Sequence, residues 1–211
     1  MVILLRCLFM DRRNLTNRKG VIRVSKSEIF RYISVYSSFG NMDEISISPE
    51  EEGFVVCTDG RVQTLLSGEN HTWNPRMDKG IVIMKTEADA NGVAGTGGIR
   101  LSDGQVLGGW CSFSCRLLSP KRFVIQALEL LIREQRIQSI LTETVRGSIH
   151  SSFIRNASVP ANLHLLRRTL WTEAKTQTKT DLLRMGWQMT DFHMEHLQIK
   201  QEGFHDEFSF S

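Results

Sequence analysis

One stretch of this chain leaves little freedom about its local fold. Gly95-Thr96-Gly97-Gly98-Ile99-Arg100-Leu101 runs into Ser102-Asp103-Gly104, and residues 105–113 return from it. Asp-Gly between two apolar-rich runs is a strong short-range hairpin signal. Ser119-Pro120 follows at once, with Ser placed as an N-cap and Pro at the first helical position. Phe123, Ala127, Leu128, Leu131 and Ile132 then keep helical spacing to about Gln135. A hairpin joined directly to an amphipathic helix must bury the helix on the sheet, so the chain is expected to be α/β rather than all-α or all-β.

Further elements are expected on both sides. Phe54-Val55-Val56-Cys57-Thr58 is a continuous apolar, β-branched run closed by Asp59-Gly60, which reads as a buried strand entering a turn. Gly80-Ile81-Val82-Ile83-Met84 reads as a second strand, with residues 64–79 as a polar loop between them. Residues 137–142 read as another apolar strand, 145–155 as a helix, and Leu165, Leu166, Leu170, Leu182 and Leu183 as the apolar side of a helix after Pro160. Residues 193–200 read as a last strand. Residues 29–36 form a short strand or helix, and the acidic, Pro49-containing stretch 42–53 reads as a linker. The expected division is therefore a basic extension with its acidic linker at 1–50 and one α/β domain at 51–211.

Of 211 residues, 41% are hydrophobic and 23% charged, enough for a packed core. No apolar run reaches the roughly 18 residues of a membrane span, and the apolar start around Arg6 lacks a basic n-region and a cleavage site. Four scattered cysteines do not make a disulfide framework. Asn14, Asn70 and Asn156 begin Asn-x-Ser/Thr triplets that mean nothing without secretion. The expected location is intracellular, cytoplasm or nucleus. The net charge of +3 conceals segregation: residues 116–184 hold 12 Lys/Arg against 5 Asp/Glu, and residues 41–115 hold 5 against 11. A basic block beside an acidic one suggests a nucleic-acid backbone on the first and a cation at the second.

The order of these pieces resembles ribonuclease H type 1 domains, especially those of retroelements. The run FVVCTDG at 54–60 is similar to their first strand, GTGGIRLSDGQVLGGWCSFS at 95–114 to their glycine-rich hairpin, and SPKRFVIQALELL at 119–131 to their first helix. TETVRGSI at 142–149 and LQIKQEGFHDE at 197–207 follow the later motifs more loosely. The resemblance implies an RNase H-like mixed sheet with an antiparallel front hairpin and flanking helices. It also implies metal-dependent hydrolysis of RNA in RNA·DNA hybrids, in which clustered carboxylates hold two Mg²⁺ (or Mn²⁺) ions across the scissile phosphate. Carried over by position, Asp59, Glu143 and Asp206 would be the metal ligands and His205 an acid or phosphate-positioning group. The remaining carboxylate of the family falls at Val124, which cannot bind a metal, with Glu129 further along the same helix. Arg122, Arg146, Arg167 and Arg168 would contact nucleic acid, either an RNA·DNA hybrid or RNA. The alternative is a non-catalytic nucleic-acid-binding or interaction module on a degenerate version of the same fold.

Other candidates stand beside these. VRG at 145–147 and HLLRR at 164–168 are similar to part of the cap-binding domain of influenza-type polymerase basic subunit 2. Cys111, Cys115, His193 and His196 form a candidate zinc set, although an offset of three in a strand points the two histidines to opposite faces. Gly95-Thr96-Gly97-Gly98 is glycine-rich enough for a phosphate cradle but lacks the Lys-Ser/Thr ending, and a flexible hairpin lead-in is the plainer reading. Trp110, Trp171 and Trp187 are candidates for base stacking, with core packing the role of at least two.

Overall fold

A computed structural model describes residues 28–34, 44–66, 68–72, 74, 76–134, 136–157 and 163–201. The chain divides between Met84 and Lys85 into two compact units. The boundary expected near residue 50 falls inside the first unit.

The first unit holds β1 (Phe30–Ser34), β2 (Glu44–Ser46), β3 (Glu51–Cys57), β4 (Val62–Leu65), β5 (Asn70–Thr72) and β6 (Asp78–Lys85). β1, β6, β3 and β4 lie side by side in that order, and β2 pairs with β5. The two inner strands are the two apolar runs seen in the sequence, as strands buried on both faces require. Val55, Ile81 and Ile83 pack with Ile47 and Leu65. The stretch expected to be a linker contributes β2 and the start of β3, and the stretch expected to be a loop contributes β5. Both strands are only three residues long, too short to leave an alternation in the sequence.

The second unit begins with the hairpin. β7 (Asp89–Arg100) and β8 (Gln105–Leu117) pair antiparallel. The Ser-Asp-Gly turn closes through Leu101 N–H to the Gln105 carbonyl (2.8 Å) and Gln105 N–H to the Asp103 carboxylate (3.0 Å). Gly97 and Gly98 make a bulge: Thr96 faces Gly109 and Ile99 faces Leu107, so two residues oppose one. The glycine-rich lead-in is thus part of the strand. α1 (Pro120–Glu134) starts as expected, with Ser119 Oγ accepting the Arg122 N–H at 3.3 Å. α2 (Ile137–Asn156), α3 (Leu163–Arg184) and β9 (Trp187–Gln201) follow, and β9 pairs antiparallel with β8 to make the sheet order β7-β8-β9.

Residues 137–142 are helical, not a strand. Ile137, Ile140, Leu141, Val145, Ile149 and Phe153 are all buried on α2, and that three-four spacing is visible only when the short apolar run is read together with the helix after it. The unit is therefore an antiparallel three-stranded sheet with helices packed on it: α2 lies against β7, α3 against β9, and α1 and α3 against α2. Alternation along β8 buries Leu107, Cys111, Phe113, Cys115 and Leu117 under the helices. Phe123 of α1 meets Trp187 edge-on, ring centres 5.5 Å apart. Of the three tryptophans considered for base stacking, Trp187 is thus a core residue.

Gly186 joins four of these elements. It lies between α3 and β9 with φ +85°, and its carbonyl accepts the N–H groups of Leu118 (2.8 Å) and Ser119 (3.0 Å) at the corner between β8 and α1. A Cβ here would sit 2.5 Å from the Ser119 carbonyl oxygen, whereas a Cβ on Gly60, with the same φ, would meet nothing within 4 Å. Gly60→Ala should cost only the left-handed backbone penalty, roughly 1 kcal/mol. Gly186→Ala should cost more, roughly 2–4 kcal/mol, since backbone must also move. Urea midpoints of the two variants check this; equal midpoints would show that the corner yields freely.

Candidate nucleic-acid interface

The sheet of the second unit has one face under helices and one open. Residues facing each other across antiparallel strands share a face, so register assigns the open side. It carries Asp89 beside Arg116, Ser112 beside His193, and Gly95 and His196 on either side of Trp110. Asp89 accepts from Arg116 Nε at 2.8 Å, and the Ser112 hydroxyl donates to Glu195 at 2.8 Å. The Arg116 guanidinium holds the Asp89 carboxyl below its usual range. With Asp89, Asp191 and Glu195 exposed, this face offers little to a polyanion.

The helical side differs, and α3 decides its character. Leu170, Ala174, Thr178 and Leu182 are fully buried, one turn apart, so this stripe docks the helix on α2 and β9. Thr172, Thr176 and Thr180 donate their hydroxyls to the carbonyls four residues back. Both α3 carboxylates turn towards α2. Asp181 Oδ2 accepts the Ser148 hydroxyl (2.8 Å) and the Gln177 amide (2.8 Å). Glu173 Oε2 accepts the Asn156 amide (2.7 Å), and Arg155 donates to Gln177 (2.9 Å). Arg168, Lys175 and Lys179, at offsets of seven and four, fall within about 40° on the outward side. All three are exposed, and the described residues give them no carboxylate partner. Lys175 and Lys179 are a like-charged i,i+4 pair, which costs an isolated helix a few tenths of a kcal/mol. Trp171 stands on the flank of the helix between this stripe and the buried one, about 60° round from Arg168 and about 40° from Lys175, and is 43% exposed.

The residues singled out from sequence take the following places. Asp59 occupies the β3–β4 turn. Its carboxylate accepts the Arg61 N–H (3.0 Å) and Nε (2.6 Å), which hold its pKa below the ordinary value, the backbone hydrogen bond first. The Thr-Asp-Gly triplet works as a hairpin turn, closed by Cys57 N–H to the Arg61 carbonyl at 2.8 Å. Glu143 is on α2 rather than a strand and pairs with Arg146 at 2.7 Å. Asp59 belongs to the first unit and Glu143 to the second. Val124 is fully buried in the core of the second unit, and Glu129 is exposed on α1. His205 and Asp206 lie outside the described residues. Among the described residues no three His, Cys, Asp or Glu gather into a group that could hold a metal ion.

The four expected phosphate contacts separate in the same way. Arg122 donates to the Leu183 carbonyl at the end of α3 (3.3 Å), Arg167 to the Leu197 carbonyl of β9 (3.1 Å), and Arg146 to Glu143. Arg168 alone among them is exposed without such a partner, and it lies on the stripe. The summed charge of the basic block at residues 116–184 does not single out Lys175 and Lys179. Plotting its charges by helical angle separates them from the two acids. VRG at 145–147 lies within α2, and HLLRR at 164–168 near the start of α3.

The zinc set is not assembled. Cys111 and Cys115 are buried on the helix-covered side. His193 and His196 are exposed and face Ser112 and Trp110 on the open side, because a register shift beside Trp110 cancels their odd offset. No family model matches the chain, and no curated protein matches it. No helix among the described residues is long and apolar enough to cross a membrane.

Burial pushes both the Cys111 and the Cys115 thiols up to about 12. An unfolded thiol ionises near 8.5, so the folded chain retains protons that the unfolded chain releases. Stability should be unaffected below about pH 8.5 and should fall as pH rises towards 12. In a Cys111→Ala, Cys115→Ala double variant this alkaline loss should be shallower, measured against the variant's own stability at pH 7. Superimposable alkaline slopes would refute the assignment.

Proposed function

We propose that the second unit is a nucleic-acid-binding module that holds a phosphate backbone along the outward face of α3. The observation that carries this reading is the stripe of Arg168, Lys175 and Lys179, which has no carboxylate partner among the described residues. Glu173 bonds to α2, Asp181 bonds to α2 and to Gln177 and Arg184 of its own helix, and the helix accepts a like-charged pair. Cations freed of internal partners attract phosphate and release its counterions.

The reading predicts steep salt dependence. Three stripe contacts alone give a slope of log K against log salt of about −2 on single strands and nearly −3 on duplex. Lys175→Ala and Lys179→Ala should each flatten the slope by about 0.7–0.9 and weaken binding at low salt on any sequence. A flat salt dependence, or unchanged affinity in both variants, would overturn the reading. The competing reading is hydrolysis of RNA·DNA hybrids through Asp59, Glu143 and Asp206. It would take its place if the chain cleaves a labelled hybrid with Mg²⁺ or Mn²⁺ and Asp59→Asn abolishes cleavage with unchanged thermal stability.

A further inference from the structure

We infer that the α3 face selects single-stranded over double-stranded nucleic acid, with Trp171 as the stacking platform. This rests on the reading of the stripe as a phosphate track and adds to it what the track is reading. Two observations of different kinds converge. The stripe is cationic and has no carboxylate partner among the described residues. Independently, the largest side-chain type in the chain stands 43% exposed beside it. Trp171 is three residues after Arg168 and four before Lys175, so one cation lies about a turn away on each side. The core does not use its exposed edge: the edge-on aromatic contact belongs to Phe123 and Trp187. Indoles are mostly buried in folded chains, and one left in water amid cations has an aromatic surface to offer.

The geometry of the ligand then decides. A duplex presents phosphates outside and keeps its bases stacked on one another, so an indole level with the cations on a convex helix has no base face to meet. A single strand can lay its phosphates on Arg168, Lys175 and Lys179 and turn a base onto Trp171. Every base has a π-face, so sequence preference should be weak. Single-stranded RNA and single-stranded DNA share this chemistry.

The test uses the full chain with oligo(U), oligo(dT), a duplex of equal length, and heparin as a polyanion without bases. Trp171→Leu should weaken binding to both oligonucleotides roughly 5- to 150-fold and leave duplex and heparin within twofold. Trp171→Phe should recover most of the loss and guards against a folding artefact, as does an unchanged thermal midpoint. The Lys175→Ala, Lys179→Ala pair should weaken all four ligands. If the lysine pair acts on all ligands while Trp171→Leu spares the single strands or weakens the duplex equally, the inference falls and the phosphate track survives. If the lysine pair weakens nothing, both fall. A loss confined to oligo(U) or to oligo(dT) would identify the natural strand and sustain the inference.

Discussion

The rotation of α3 about its own axis is fixed by where its two carboxylates go. Asp181 receives the Ser148 hydroxyl and the Gln177 amide on one oxygen, and Glu173 receives the Asn156 amide. Leaving these groups buried without partners would cost far more than the modest gain of making each bond. An apolar stripe about a third of the circumference wide tolerates some roll, whereas directed bonds on one flank do not. With that flank committed to α2, Leu170, Ala174 and Leu182 are buried, and Arg168, Lys175 and Lys179 are exposed with no carboxylate partner among the described residues. The outward charge of the helix thus follows from inward hydrogen bonding.

The same economy gives the second unit two unlike sides. On the open side of the sheet Asp89 is paired with Arg116, while Glu195 holds only the neutral Ser112 hydroxyl and Asp191 is exposed. An exposed pair of this kind adds little to stability, and the remaining carboxylates leave these residues with an acidic balance. On the helical side the pairing is internal and the remainder is positive. A polyanion approaching the unit finds attraction from one direction.

Local signals in the sequence spoke for themselves where both partners of a contact were near in the chain. The hairpin around Asp103-Gly104 and the Ser119 cap are contacts between residues a few positions apart, and both form as read. Residues 137–142 misled because a six-residue run has no period of its own; only Val145, Ile149 and Phe153 give it one. Asp59 misled differently. Thr-Asp-Gly closes a tight turn and can also end a strand at a metal, and in this chain Arg61 takes both carboxylate oxygens. Arg168 was legible as a candidate, but its significance depends on the direction of Glu173 and Asp181. That direction is set by Ser148 and Asn156 on another helix, which no pattern within α3 contains.

The partner of the central strand arrives late. β8 pairs with β7 across a three-residue turn, yet its other edge pairs Leu117 with Trp187 and Gln105 with Gln201, across the whole length of the three helices. Closing so long a loop must precede any reward from that ladder, which slows formation of such contacts. During synthesis the hairpin and α1 emerge well before β9, so the far edge of β8 and its apolar underside wait exposed while α2 and α3 are made. The bulges of β9 and the corner at Gly186 are therefore features of the last step of folding, and their disruption should appear chiefly as faster unfolding, with little change in the folding rate.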